Sequence, residues 1–314
     1  MSQTTILSKK LVKSWIPKRK KESHKGDYGH TLILAGSQGM SGASVLAALG
    51  ALRGGSGLVT VATPKSQQPI LAKHLAPDAL TLSLPETSQG SFSIKAIQMI
   101  LPWMERRKIA CLALGPGISR NSQTALFIKK LLFALDKNKG LVQGIVIDAD
   151  GFLALNNGKG QSPLLEKISL PIIVTPHLGE MAKFCNVSKA QIEKDRVEFL
   201  KKFAKLYRVI CVLKGYQTLI SDGQKTYLNP TGNPGMARGG SGDVLTGLIA
   251  ALISQMVSTK NCDKKELLLK AASLGVYLHG LSGDLAKKEK TEIGMIASDI
   301  AEYLPSAYKK VIHD

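Results

Sequence analysis

The sequence predicts an α/β fold with a central, mainly parallel sheet flanked by helices on both faces. Two patterns and the composition lead there. Short apolar runs are continuous rather than alternating, as in strands buried on both faces. They take turns with stretches of helical periodicity, the order that builds βαβ units. With 44% hydrophobic and 21% charged residues, the 314-residue chain can also fill a sizeable core.

Taken in order, residues up to about 25 are polar and basic and read as an arm with at most one short helix. Thr31–Ala35 (TLILA) is the first expected strand, followed by a small-residue helix over Ser41–Leu52. Further strands are expected at Gly57–Thr63, Ile109–Gly115, Gly144–Asp148, Pro171–Thr175 and Val209–Lys214. Helices are expected at Asn121–Leu135 and after Ser188, where Gln191 completes a capping box. Gln217–Ser221 and Lys225–Leu228, separated by Asp222-Gly223, read as a hairpin. The last third is helical over Ser241–Val257, Lys264–Ala286 and Ser298–Leu304. Neither a Pro/Gly-rich linker nor a repeat divides the chain, so residues 26–314 are expected to form a single domain behind the arm.

The net charge of +19 raises nucleic acid as a partner. Basic residues cluster only at Lys18, Arg19, Lys20 and Lys21, and aromatics make up 5% of the chain, so a specific nucleic-acid surface is not expected. A positive field that attracts polyphosphates fits equally well. Deletion up to Arg19 is accordingly expected to leave activity within a few-fold. Cys111, Cys185, Cys211 and Cys262 show no CxxC or CxxH spacing, which points to reduced thiols in a cytoplasmic protein rather than to a zinc site. The basic start lacks the apolar core of a signal peptide, and no run long enough to span a membrane occurs.

The sharpest motif is Asn229–Leu245, NPTGNPGMARGGSGDVL, leading straight into an apolar helix. Gly239, Gly240, Ser241 and Gly242 precede or open that helix, where free N–H groups and the dipole favour an anion. Asp243 in the first turn is either an N-terminal cap or a catalytic base; beside an anion cradle the second is preferred. No Walker A pattern is present. Gly36–Gly42 follows a strand and is either a ligand loop or a plain turn. Asp148-Ala149-Asp150 and Thr175–Glu180 place acids and His177 at strand ends, where α/β proteins bind ligands.

Ser23–His30 (SHKGDYGH), Leu34–Ala43 (LAGSQGMSGA), Gly115-Pro116-Gly117, Asp148–Gly151 (DADG), Thr175–Glu180 (TPHLGE), Lys214–Thr218 (KGYQT) and Asn229–Gly247 occur in an order that resembles the ADP- or ATP-dependent NAD(P)H-hydrate dehydratases. The likeness runs from about Ser23 to the C-terminus. It implies a ribokinase-like fold with the site along the C-terminal edge of the sheet. It further implies adenine-nucleotide contacts from Lys214, Gly215, Tyr216, Gln217, Thr218 and Gly242. Contacts to the hydrated nicotinamide cofactor are implied for Ala43, Gly117, His177 and Asp243. Mg2+, ADP or ATP as co-substrate, a homotetramer and a separate epimerase for the other stereoisomer are implied in the same way; metal ligands are not. The competing expectation is a kinase of the same fold acting on a small alcohol such as a thiazole or pyrimidine vitamin precursor, which would share GGSGD alone.

Overall fold

The computed structural model describes residues 4–257 and 263–313; Cys262 lies outside them. Ten strands form one sheet among the described residues: β1 (Thr4–Ile6), β2 (His30–Leu34), β3 (Leu58–Pro64), β4 (Leu80–Leu84), β5 (Cys111–Leu114), β6 (Gly144–Ile147), β7 (Ile172–Val174), β8 (Ile210–Leu213), β9 (Leu219–Ser221) and β10 (Thr226–Leu228). Their order is β1-β10-β9-β8-β7-β6-β5-β2-β3-β4, and β4 through β8 run parallel. Only β9 is antiparallel to its neighbours.

The helices are α1 (Lys9–Lys13), α2 (Ser41–Arg53), α3 (Gln68–His74), α4 (Ala96–Arg107), α5 (Ser122–Lys137), α6 (Ala149–Leu153) and α7 (Pro163–Lys167). After them come α8 (Leu178–Cys185), α9 (Lys189–Glu193), α10 (Arg196–Tyr207), α11 (Ser241–Met256), α12 (Lys264–Gly294), α13 (Ala297–Glu302) and α14 (Leu304–His313). One face of the sheet packs against α2, α11 and α12, and the other against α4, α5, α8 and α10. None of these helices is long and apolar enough to cross a membrane.

The register lines up Leu34, Leu114, Ile147 and Val174 across four parallel strands. The residues that follow each of them therefore emerge together at the C-terminal edge. From that edge α11 runs back across one face of the sheet, its first turn beside Asp148 and its Ile253 against the start of β6; it is apolar around nearly its whole circumference and buried from Val244 to Met256. It crosses α2 with almost no side chain between the backbones. A Cβ on Gly247 would fall on the Ala47 carbonyl, and one on Gly50 would fall on the Val244 carbonyl. Gly247→Ala is expected to cost about 1–3 kcal/mol, as overpacking does. Urea unfolding measures it, and an unchanged midpoint would mean that the helices can part freely.

The first residues are not a free arm. β1 pairs in parallel with β10, Leu7 N–H continues the ladder to the Leu228 carbonyl at 2.9 Å, and Leu7 and Val12 are buried. Trp15 meets the Tyr227 ring edge-on. Within the basic cluster, Arg19 lies 4.0 Å over the Tyr28 ring and donates to the Gly55 carbonyl at 2.6 Å, while Lys18, Lys20 and Lys21 are exposed. Deletion up to Arg19 therefore removes an edge strand and two core side chains. Each such side chain contributes roughly 1.5–3 kcal/mol. The expected result is now a lower thermal midpoint together with loss of activity at temperatures the intact chain tolerates, measured by calorimetry on both chains.

Candidate active site

The edge of the sheet collects the expected loops and adds one feature. Gly36 and Gly117, in the loops after β2 and β5, are joined by Gly36 N–H to the Pro116 carbonyl and by Ser37 Oγ donating to the Gly117 carbonyl, both at 3.0 Å. Gly117 has φ 57°, and a Cβ there would meet the Met40 carbonyl at 2.7 Å and Ala43 Cβ at 3.0 Å. Ala43 and Gly117 thus form one wall, with room for nothing larger between them. On the same face of α2, Leu46 touches the anion loop, where it would strike a Cβ on Gly240.

Asp148 and Asp150 part company because Ala149 adopts φ 48°. Asp150 turns out to Arg120 at 2.7 Å. Asp148 turns in and is nearly fully buried: Lys214 Nζ lies 2.6 Å from its Oδ1, and Thr246 Oγ1 donates to its Oδ2 at 2.8 Å. This pair is the feature that sequence reasoning did not assign, although the acids at the strand end had marked the place. Lys214 stands next to the glycine loop, 3.0 Å from the position of a Cβ on Gly242. Burial alone would lower its pKa, but the Asp148 and Glu180 carboxylates outweigh that and raise it, so the ammonium stays charged.

The loop itself is closely built. Gly240, with φ 94°, caps α11, and the first-turn N–H groups of Ser241, Gly242 and Asp243 have no intrahelical acceptor. Ser241 Oγ is buried and finds no hydrogen-bond partner. An anion at the helix start would satisfy it. Asp243 is mostly buried; desolvation first, then the Asp148 and Glu180 charges, push its carboxyl up to about 7 against the pull of Lys214. The carboxyl is poised to exchange a proton near neutrality, beside an anion cradle and a fixed cation.

His177 is the N-cap of α8: its Nδ1 accepts from Glu180 N–H at 3.1 Å, and its own N–H donates to Glu180 Oε2 at 2.8 Å. A bridge between His177 and Lys214 ties this loop to the end of β8. The Lys214–Thr218 turn divides in two. Lys214 faces inward, whereas Tyr216 is exposed and Gln217 sits at φ 52°, with both carbonyls accepting from Arg196. Thr218 Oγ1 donates to the Gly215 carbonyl at 2.9 Å and accepts Gly215 N–H at 3.3 Å, so the hydroxyl shapes the turn. If the turn holds the nucleotide, as the resemblance implies, Thr218→Val should raise the nucleotide KM more than it changes kcat. A rise confined to the hydrated cofactor would reassign the turn. Arg238 runs from the loop to the end of α12, donating to the carbonyls of Gly235, Glu292 and Ile293.

Among the described residues no three His, Cys, Asp or Glu side chains gather as a metal cage. A magnesium ion brought in on nucleotide phosphates would need only one or two carboxylates from the chain, and Glu180, whose charge reaches both Lys214 and Asp243, is an acid at this edge that the proton transfer does not use.

A mainly parallel sheet with a glycine-opened helix and an adjacent acid at its edge is also the fold of a ribokinase-like superfamily protein from Enterococcus faecalis, which matches with TM-score 0.78 at 23% identity over 99% of this chain and 97% of that one. The profile of the family described as NAD(P)H-hydrate dehydratase matches residues 31–306, and the chain belongs to that family. It is 41% identical over 303 residues to a bifunctional NAD(P)H-hydrate repair enzyme of Moorella thermoacetica, covering 96% of this chain and 53% of that one. It is 31% identical over 303 residues to the ADP-dependent (S)-NAD(P)H-hydrate dehydratase of Bacillus subtilis, covering 95% and 96%. A crystal structure of the ADP/ATP-dependent dehydratase from B. subtilis, co-crystallised with ATP and Mg2+, matches with TM-score 0.78 at 30% identity over 98% of this chain and 99% of that one. The chain spans about half the length of the bifunctional relatives it matches.

Proposed function

We propose that this chain returns hydrated NADH and NADPH to the reduced cofactors, using ADP or ATP to activate the ring hydroxyl. One observation carries the reading: Asp243, with its carboxyl at about 7, stands between the glycine loop and the buried Lys214–Asp148 pair. Hydroxide is a poor leaving group from the hydrated ring. Asp243 takes the hydroxyl proton as that oxygen attacks the terminal phosphorus of the nucleotide, whose bond to the bridging oxygen breaks. Lys214 and the N–H groups at the start of α11 hold the transferring phosphoryl. The ring nitrogen's lone pair then expels the phosphate with its ring oxygen. Loss of a proton from the neighbouring carbon restores the double bond. Magnesium, when bound with the nucleotide, neutralises phosphate charge.

Residues on the wall of Ala43 and Gly117 and at His177 bind the hydrated cofactor in this reading, and Lys214–Thr218 with Gly242 bind the nucleotide. The cytoplasm is the compartment, supported by the free thiols of Cys111, Cys185 and Cys211. A homotetramer is the assembly, and an epimerase activity supplies the stereoisomer that is consumed. Purified protein mixed with hydrated NADH and either nucleotide should regenerate the absorbance of NADH. A phosphorylated thiazole or pyrimidine alcohol, with no NADH formed, would establish the kinase reading in its place.

A further inference from the structure

The face of α12 that meets the anion loop holds it at several points. The Tyr277 carbonyl accepts from Thr231 Oγ1 at 2.9 Å. Asp284 accepts from Gly232 N–H at 2.9 Å and from Asn233 Nδ2 at 3.1 Å. Gly280 and Gly283 let the loop approach so closely that a Cβ on either would strike Thr231 or Met236. Between these anchors His279 is buried, and its Nε2 lies 2.9 Å from the carbonyl of Ser241, the first residue of α11. A carbonyl only accepts, so the imidazole donates from Nε2. Desolvation lowers its pKa to about 4, and the ring is neutral throughout the working range.

We infer that His279 is a positioning residue, whose Nε2–H fixes the first turn of α11 and with it the aim of the Gly242 and Asp243 amides and of the Asp243 carboxylate. The side chain reaches the reacting groups only through Ser241, two residues before Asp243. Core packing alone would need the volume of the ring and not its donor. The hydrogen bond instead fixes a helix start whose carbonyl, amides and side chains all border the site. This role rests on the proposed activity only for its kinetic readout.

Two variants separate donor from bulk. His279→Leu keeps apolar volume and removes the donor. His279→Gln can place an amide N–H where Nε2 lies. Steady-state kinetics with hydrated NADH should show kcat lowered roughly 10²-fold in His279→Leu, the loss expected when catalytic groups are misplaced by about an ångström. Because the Gly242 amide is among the groups displaced, the nucleotide KM should rise as well, and His279→Gln should recover most of kcat and of that affinity. Hydrogen exchange followed by mass spectrometry needs no activity. There the Val244 and Leu245 amides should exchange about tenfold faster in His279→Leu and at the native rate in His279→Gln. Native kcat and exchange in His279→Leu, or equal loss in both variants, would overturn the assignment. Inactive native protein that shows the expected exchange pattern would refute the proposed reaction and leave the positioning role standing.

Discussion

Asp243→Asn is expected to leave the fold intact and to lower kcat by roughly 10²–10⁴-fold, the usual loss of a general base. The amide keeps the shape of the side chain and can still accept a hydrogen bond, but it cannot take the hydroxyl proton. Because burial holds the carboxyl at about 7, the native kcat/KM should fall on the acid side of that value, where the base is already protonated. Stability moves the other way. A carboxyl whose pKa is raised on folding stabilises the fold below its unfolded value and loses that contribution as pH rises through the folded value. The variant, neutral at every pH, should therefore gain stability over the native chain as pH goes from about 4 to 7, by something on the order of 4 kcal/mol at most. Urea titrations at both ends of that range measure the gain, and stopped-time assays measure the turnover. Near-native turnover would remove Asp243 from the proton transfer.

Lys214→Met should be the most destabilising single change at the site, costing about 3–5 kcal/mol. Asp148 has a side chain only 2% exposed, and without Lys214 its carboxylate keeps only the Thr246 hydroxyl among these partners. Adding Asp148→Asn removes the stranded charge and should recover much of the loss. That recovery in a double-mutant cycle marks a charge pair rather than packing. The same substitution withdraws the cation that lowers the Asp243 pKa, so the acid limb of kcat/KM should move upward in whatever activity remains. A Lys214→Met protein as stable as the native chain would show that the Lys214–Asp148 contact does not hold the fold together.

Much of this arrangement was legible in the sequence because its signals are local. Continuous runs such as Thr31–Ala35 and Gly144–Asp148 read as buried strands, and the glycines of Gly239–Gly242 announce an anion-binding helix start within a few residues. The parts that escaped depend on distant partners. β1 is three residues long and gains its place only by pairing with β10. β4, Leu80–Leu84, is partly exposed and gives no clean apolar run. The helical stretch after Ser188 is two helices because Asp195 caps a second one through Glu198 N–H. In the site, Asp243 could be picked out by its neighbours, whereas the Lys214–Asp148 pair joins residues that only the sheet register brings together. His279 and Asp284, inside a long helix, carry no local mark of what they hold.

In the proposed reaction the ring hydroxyl leaves as phosphate. NADH hydrate carrying 18O in that hydroxyl, incubated with the protein, magnesium and ADP or ATP, decides it when the products are separated by mass spectrometry. Transfer followed by elimination predicts one 18O in each inorganic phosphate released, with one NADH formed per phosphate. Label found in water, with NADH formed at the same rate, would contradict phosphorylation of the hydrate.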